Sequence, residues 1–459
     1  MNENKKNIYF VGAGGIGMAA LVRYFLSQGC NVAGYDRTRT ALTDALVAEG
    51  AEIVYDEAVE LIPEMFRNPV TTLVVYTPAI PASHQGLCYF RENGFEILKR
   101  AAVLGMITRG TKGICFAGTH GKTTTSSMAA HILNSCEVGC NAFLGGILRN
   151  YDSNLLLSKT SPYSVIEADE YDRSFHQLSP YIAVITSSDP DHLDIYGTED
   201  AYLESFAHFT ELIRPDGCLV IHEGLKVKPR VQDGVKVYTY SRDSGDFHAT
   251  NIRRGNGTIV FDLVTPAGVF DNIELGVPVE INIENAIASI AACFLTESVQ
   301  PDKMREAMKS FLGAKRRFEF WVKEPGESGR VVIDDYAHHP DELKASISSV
   351  KALYPGRHLT VAFQPHLYSR TRDFAMEFAK ALSLSDSVLL LDIYPAREEP
   401  IPGVTSEIIF NSITCEDKVM IDKENLTGTI KNRNFEILLT VGAGDICNYL
   451  PAICSEIKG

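Results

Sequence analysis

The sequence predicts an α/β protein of three domains, each a largely parallel sheet flanked by helices, with an antiparallel β segment added to the central one. Three observations carry this expectation. Short apolar runs recur along the 459-residue chain and end in glycine or an acidic residue. Between them lie stretches whose apolar residues fall at helical spacing. From 217 to 279 the texture changes to short β-rich runs separated by glycine turns, as in 235–240 and 258–264. Strands buried on both faces read as continuous apolar runs, so the alternation points to doubly wound sheets.

In chain order, strand 7–11 turns at 12–17 into a helical pattern through Leu26, and strands 31–35 and 72–76 follow. A second set opens with strand 114–117 and helix 123–133, then strands 163–166 and 181–186, and resumes after the β-rich segment with helix 285–295. The third has strands at 331–333, 359–363, 387–391 and 437–441. Boundaries at the Gly/Thr/Lys-rich 108–112 and the basic 313–317 divide the chain into 1–109, 110–313 and 314–459. Internal repeats and low-complexity segments are not evident.

The hydrophobic fraction of 45% and charged fraction of 22% are ordinary for a soluble globular protein. A net charge of −15 excludes a general nucleic-acid binder, which needs a basic surface to replace phosphate counterions. No apolar run reaches the ~20 residues of a membrane span, and the N-terminus lacks the features of a secretory signal. Ten cysteines without a CxxC spacing read as buried free thiols, so a cytoplasmic enzyme is expected.

The strongest motif is Gly118-Thr119-His120-Gly121-Lys122-Thr123-Thr124, where a buried strand gives way to a helix. Glycines let several backbone N–H groups converge on one phosphate, and the helix N-terminus adds positive potential. Lys122 is placed to bridge the β- and γ-phosphates of ATP, and the Thr123 hydroxyl to ligate Mg²⁺, which makes the central domain P-loop-type. Glu167-Ala168-Asp169-Glu170 ends the next strand, where Glu167 suits a hard cation. Asp189-Pro190-Asp191-His192 repeats the arrangement, and His192 beside two acids is a candidate for a second metal site. Near the N-terminus, Gly12-Ala13-Gly14-Gly15-Ile16-Gly17 with Asp36 about 20 residues on fits the dinucleotide fingerprint. That pattern also supports an NAD-dependent oxidoreductase, although such an enzyme leaves the phosphate loop unexplained. In the third domain, 334–340 and 364–372 follow strands, at the edge where open α/β sheets bind ligands; Arg370 and Arg372 could clamp a carboxylate or phosphate there.

In content and order, GTHGKTT, EADE, DPDHLD, DDYAHHPDE and QPHxYxRT resemble the Mur ligase family over essentially the whole chain. GAGGIGM, GAKRRFE and DIYPAREEPIPGVTS resemble the branch that joins L-alanine to UDP-N-acetylmuramate. The resemblance implies a UDP-substrate domain, a central ATPase domain, and a C-terminal domain that brings the amino acid and closes on ATP. Reaction would run through an acyl phosphate in peptidoglycan precursor synthesis, with Mg²⁺ or Mn²⁺ and a monomer or homodimer.

Carried over residue by residue, Gly14, Gly15, Ile16, Gly17, Asp36 and His120 would serve the UDP substrate. The loop from Gly118 to Thr124, with Asn282, Asn285, Arg317 and Asp335, would serve ATP. Thr123, Glu167 and His192 would serve metal, while Lys122, His338 and Arg370 would be catalytic, His338 as base toward the amine. Three departures stand out: Ile281 replaces the family's usual His, Leu367 replaces a frequent Arg, and no lysine between Lys159 and Lys226 is available for carbamylation. A related ligase that attaches a whole tripeptide to the same sugar nucleotide is the alternative.

Overall fold

The computed structural model describes residues 5–191, 193–255, 257–326, 328–396 and 398–458. Four sheets account for its strands. The first contains β1 (Asn7–Val11), β2 (Asn31–Tyr35), β3 (Glu52–Val54), β4 (Thr72–Tyr76) and β5 (Glu96–Lys99), ordered β3-β2-β1-β4-β5 and wholly parallel. The order reverses between β1 and β4, which opens a crevice at their C-terminal ends, the usual ligand position in such sheets.

The second sheet contains β6 (Lys112–Ala117), β7 (Asn141–Leu148), β8 (Ser153–Leu156), β9 (Tyr163–Glu167), β10 (Ile182–Ile185), β11 (Cys218–His222) and β12 (Lys236–Tyr240). Its order is β12-β11-β10-β6-β9-β7-β8, parallel except for the β7–β8 pair. The central strands β6, β9 and β10 are almost entirely buried, as continuous apolar runs require.

One expectation is corrected here. The span from 217 is expected to be antiparallel, yet β11 pairs parallel with β10, and β12 pairs parallel with β11 as the edge of the central sheet. An edge strand has one side open to water, so its partly exposed pattern imitates a half-solvated antiparallel strand. The antiparallel addition is confined to β13 (His248–Gly255), β14 (Thr258–Thr265) and β15 (Gly268–Glu274).

The last sheet contains β16 (Glu319–Lys323), β17 (Val331–Asp335), β18 (Leu359–Phe363), β19 (Ser387–Leu390), β20 (Asp417–Met420) and β21 (Ile437–Val441), ordered β16-β17-β21-β18-β19-β20. Only β16 runs antiparallel. Register aligns Asp335 and Phe363 on either side of Val441, so the three following loops leave the sheet at one level.

By compactness the chain forms two units. One comprises Met1–Thr250, Asp262–Asp271 and Glu284–Met308, and so holds the first two sheets together; the other comprises Asn251–Phe261, Asn272–Ile283 and Lys309–Gly459. A single apolar cluster in the first unit runs from Phe10 and Phe25 to Phe175, Phe206 and Phe209. A separate cluster around Val332, Leu389 and Leu438 forms a core in the second. All ten cysteines are free; Cys115, Cys136, Cys140, Cys218, Cys293 and Cys454 are buried as expected, while Cys30, Cys88, Cys415 and Cys447 are only half-buried. Among the described residues no helix is long and apolar enough to cross a membrane.

Phe175 anchors the segment Tyr171–Gln177, stacked on Phe209 at 4.9 Å and edge-on to Phe206 at 5.3 Å. Its ring is fully buried. Phe175→Ala should therefore cost about 3–5 kcal/mol. Urea unfolding checks this, and a loss below ~1 kcal/mol would show that the segment is anchored elsewhere.

Candidate active site

The phosphate-loop sequence sits where it was expected, between β6 and the helix Lys122–Ser135. Gly118 (φ +142°) and Gly121 (φ +85°) take backbone conformations that side chains resist. A Cβ on Gly118 would also collide with the Thr186 hydroxyl and come within 2.9 Å of the Ser187 nitrogen. The loop is tied to the end of β10: His120 N–H donates to Ser187 Oγ at 2.7 Å, and Thr186 Oγ1 donates to the His120 carbonyl at 2.5 Å. Thr119 Oγ1 donates to the Asp189 carbonyl at 2.7 Å and lies 2.9 Å from the Tyr202 hydroxyl. The imidazole of His120 is exposed, and Thr124 lies in the first helical turn.

Parallel register sets Glu167 opposite Phe116, at the level where the loop begins. One carboxylate oxygen accepts from Thr123 Oγ1 at 3.1 Å and the other from the Gly145 N–H at 2.9 Å. Burial pushes the Glu167 carboxyl above its ordinary range, opposed by the Thr123 hydrogen bond and the Lys122 charge. Thr123 and Glu167 are thus brought together as expected, with hard oxygens side by side. His192 lies outside the described residues, and among those described no group of three or more His, Cys, Asp or Glu side chains is arranged to hold a metal. Asn285 Oδ1 lies 2.9 Å from the Cβ position of Gly121, so this asparagine borders the loop.

At the first crevice, Gly14 N–H donates to Asp36 Oδ2 at 2.7 Å and Thr38 N–H to Asp36 Oδ1 at 3.1 Å. Both oxygens of Asp36 are engaged by its own turn rather than held out toward a ribose. Gly15 and Ile16 are exposed. Gly17 lies under the guanidinium of Arg100, whose Cζ stands 2.8 Å from where a Cβ would be. Arg100 also lines a cleft of about 180 Å³ with Thr77, Lys99, Glu167, Asp169 and Tyr171. This cleft joins the C-terminal end of β4 to that of β9.

The second unit gathers His338, His366 and Arg370 at one sheet edge. His338 Nδ1 lies 3.1 Å from the Tyr336 carbonyl, which can only accept, so in the neutral imidazole the proton sits on Nδ1 and Nε2 is the acceptor. Its ring is 6.2 Å from that of His366, and the Arg370 guanidinium is 3.4 Å from His366 Nδ1. Burial, and then the charge of Arg370, hold His366 below its ordinary value. Asp335 accepts from Ser346 Oγ at 2.6 Å; burial raises its pKa, and the nearby charge of Arg317 opposes the rise. Asn282 spends its amide on the Val277 carbonyl at 3.0 Å. Exposed Ile281 and left-handed Leu367 (φ +71°) stand at two of the positions that depart from the family pattern.

Three family models match in sequence: "Mur ligase family, catalytic domain" over residues 7–112, "Mur ligase middle domain" over 116–293, and "Mur ligase, glutamate ligase domain" over 316–444. The chain belongs to the Mur ligase family. It is 58% identical to the UDP-N-acetylmuramate–L-alanine ligase of Phocaeicola vulgatus over 99% of this chain and 98% of that one. With the enzyme of the same name from Parabacteroides distasonis the identity is 59%, over the full length of both. The crystal structure of the UDP-N-acetylmuramate–alanine ligase of Thermotoga maritima superposes with a TM-score of 0.77 at 27% identity, covering 98% of this chain and 99% of that one. A murein peptide ligase of Psychrobacter arcticus shares the fold at 20% identity and a TM-score of 0.60, covering 98% of both chains.

Within this Mur ligase, sequence reasoning missed the partners that hold its motifs in place. Glu170 stood inside the EADE motif without a role, yet a buried acid must find a cation, and here it finds Lys122 at 2.7 Å. Arg100 belongs to no motif and is visible only through its approach to Gly17. Asp445, in the loop after β21, accepts from Gln364 Nε2 at 2.7 Å and Lys423 Nζ at 2.8 Å.

Asp334 is fully buried and accepts from Thr440 Oγ1 at 2.6 Å, with Arg316 Nε 3.6 Å away. Burial pushes its carboxyl up to about 6. An acid raised on folding binds more protons in the native state, so it removes stability as pH climbs from its ordinary value toward 6. Melting temperatures measured from pH 4 to 7 should show this downward contribution in the native chain and lack it in Asp334→Asn. An identical pH slope in the two proteins would refute the assignment.

Proposed function

We infer that the protein is an ATP-dependent ligase that forms the amide bond between L-alanine and the lactyl carboxylate of UDP-N-acetylmuramate, releasing ADP and phosphate, in peptidoglycan precursor synthesis. The supporting observation is full-length likeness at 58–59% identity to relatives of that name, in a chain that sets Lys122, Thr123 and Glu167 together. Both substrates that carry phosphates are cytoplasmic metabolites, so the cytoplasm is the proposed location, with the chain working as a monomer or homodimer.

A free carboxylate is too poor an electrophile to meet an amine at neutral pH. One lactyl oxygen first attacks the γ-phosphorus of ATP and ADP departs, leaving an acyl phosphate. The alanine nitrogen then attacks the acyl carbon, and the tetrahedral adduct expels phosphate. Lys122 and the N–H groups opening the helix Lys122–Ser135 offset charge on the transferring group, chiefly by positioning and electrostatics. The adjacent Thr123 and Glu167 oxygens fit Mg²⁺, with Mn²⁺ as a substitute, because a dication would offset a buried carboxylate. The chemistry it supplies is neutralisation of phosphoryl charge; His192 is assigned to a second such position by resemblance alone.

Asn282, Asn285, Arg317 and Asp335 are assigned to ATP, Asn285 supported by its place against Gly121. His338 accepts the ammonium proton at Nε2, since Nδ1 is committed to the Tyr336 carbonyl. Arg370 takes the alanine carboxylate, a task that falls to it because position 367 is leucine. For the UDP diphosphate, the Gly14 N–H is already spent on Asp36. Gly15, Ile16 and Gly17 therefore supply the backbone donors, and Arg100 supplies the cation beside them.

ADP release should require UDP-N-acetylmuramate and L-alanine together. Turnover only with an L-Ala-γ-D-Glu-diamino acid tripeptide would move the protein to the recycling reaction, and release indifferent to any acceptor would sink the ligase reading. Lys122→Ala should lower kcat by at least ~10³ while leaving UDP-substrate affinity nearly intact. Arg100→Gln should raise KM for the UDP substrate about tenfold or more with little change in KM for ATP; equal loss for both substrates would remove Arg100 from the diphosphate.

A further inference from the structure

Lys122 does not present a free charge to its loop. Its ammonium donates to the Gly118 carbonyl at 2.6 Å and to Glu170 Oε1 at 2.9 Å, with Glu170 Oε2 at 2.7 Å and the Thr119 carbonyl at 3.5 Å. An ammonium has three protons to donate, so an arriving phosphate meets a donor already occupied. The pair is sequestered from water as well: the Glu170 side chain is 1% exposed and that of Lys122 14%.

Glu170 is held from behind. Its carbonyl accepts from the Tyr196 hydroxyl at 2.5 Å, and the Tyr196 ring carries the Arg173 guanidinium 4.8 Å from its centre. Tyr196 meets Tyr202 edge-on at 4.9 Å, and the Tyr202 hydroxyl lies 2.9 Å from Thr119 Oγ1 in the phosphate loop. The contacts therefore close a ring, from the loop through two tyrosines to Glu170 and back through Lys122. Of the two charged groups, the acid is fixed at its backbone and the lysine sits on a flexible stem. When the pair separates, the lysine is the partner that moves.

We propose that Glu170 is a positioning residue that acts as a built-in phosphate substitute, holding Lys122 in the nucleotide-free chain so that ATP must win the ammonium from it. This rests on the reading of Lys122 as a ligand to the triphosphate. In this role the carboxylate keeps the lysine aimed at the loop mouth and weakens ATP binding by the competition it offers.

The test is calorimetric titration of the full-length protein with ATP and Mg²⁺, using the wild type, Glu170→Gln, Lys122→Met and the double variant. Glutamine keeps the shape and can still accept from Lys122, and an unchanged affinity for UDP-N-acetylmuramate serves as the folding control. Glu170→Gln should bind ATP tighter by on the order of tenfold, and that gain should shrink several-fold when Lys122 is already Met. Weaker ATP binding by Glu170→Gln, or the same gain in both backgrounds, overturns the proposal. If Lys122→Met binds ATP as well as the wild type, the phosphate-loop reading beneath it fails first, and the latch fails with it.

Discussion

The site depends on the register of three parallel strands. Phe116 lies opposite Glu167 on one side, and Ala117 opposite Ile185 on the other. The loop at 118–121, the acid at 167 and the hydroxyls at 186 and 187 therefore leave the sheet at one level and converge. A slip of one residue would turn each side chain to the opposite face. It would separate Thr123 from Glu167 and leave the loop without the Ser187 and Thr186 contacts that set its path.

On this frame the molecule buries charge in two different ways. Lys122 and Glu170 are taken out of water as a hydrogen-bonded pair, where mutual attraction offsets part of their desolvation. Asp334 is buried with a neutral donor, Thr440, and a guanidinium 3.6 Å away, and burial pushes its carboxyl up to about 6 against the opposing pull of both. A hydrophobic pair of equal volume would serve stability as well or better in either place. Both stand at C-terminal strand ends, where open α/β sheets place their ligands.

Much of this was legible in the sequence, for identifiable reasons. Continuous apolar runs marked the inner strands, and glycines followed by Lys122 and Thr123 marked a phosphate loop, because each local pattern has one dominant physical cause. The strand at 236–240 was misassigned because an edge strand of a parallel sheet and a half-solvated antiparallel strand expose the same fraction of side chains. Arg100 and Glu170 escaped for a different reason. What matters about each is its partner, Gly17 in one case and Lys122 in the other, and both partners are distant in sequence. Spacing within a motif cannot report such a relation.

The glycine fingerprint at 12–17 shows how far a motif alone can carry an argument. GxGxxG with an acid some 20 residues on fits a dinucleotide site, in which the acid reaches a ribose hydroxyl. Here Asp36 turns inward and accepts from Gly14 and Thr38, so both oxygens serve the turn itself. The missing side chain at Gly17 is equally specific in its consequence, because it leaves room for the Arg100 guanidinium. A dinucleotide site of that kind needs only backbone donors for its pyrophosphate, whereas this turn pairs them with an arginine that also faces the cleft leading to Glu167. What packs against these glycines thus changes what the turn can offer: a guanidinium beside the backbone N–H groups, at the mouth of that cleft.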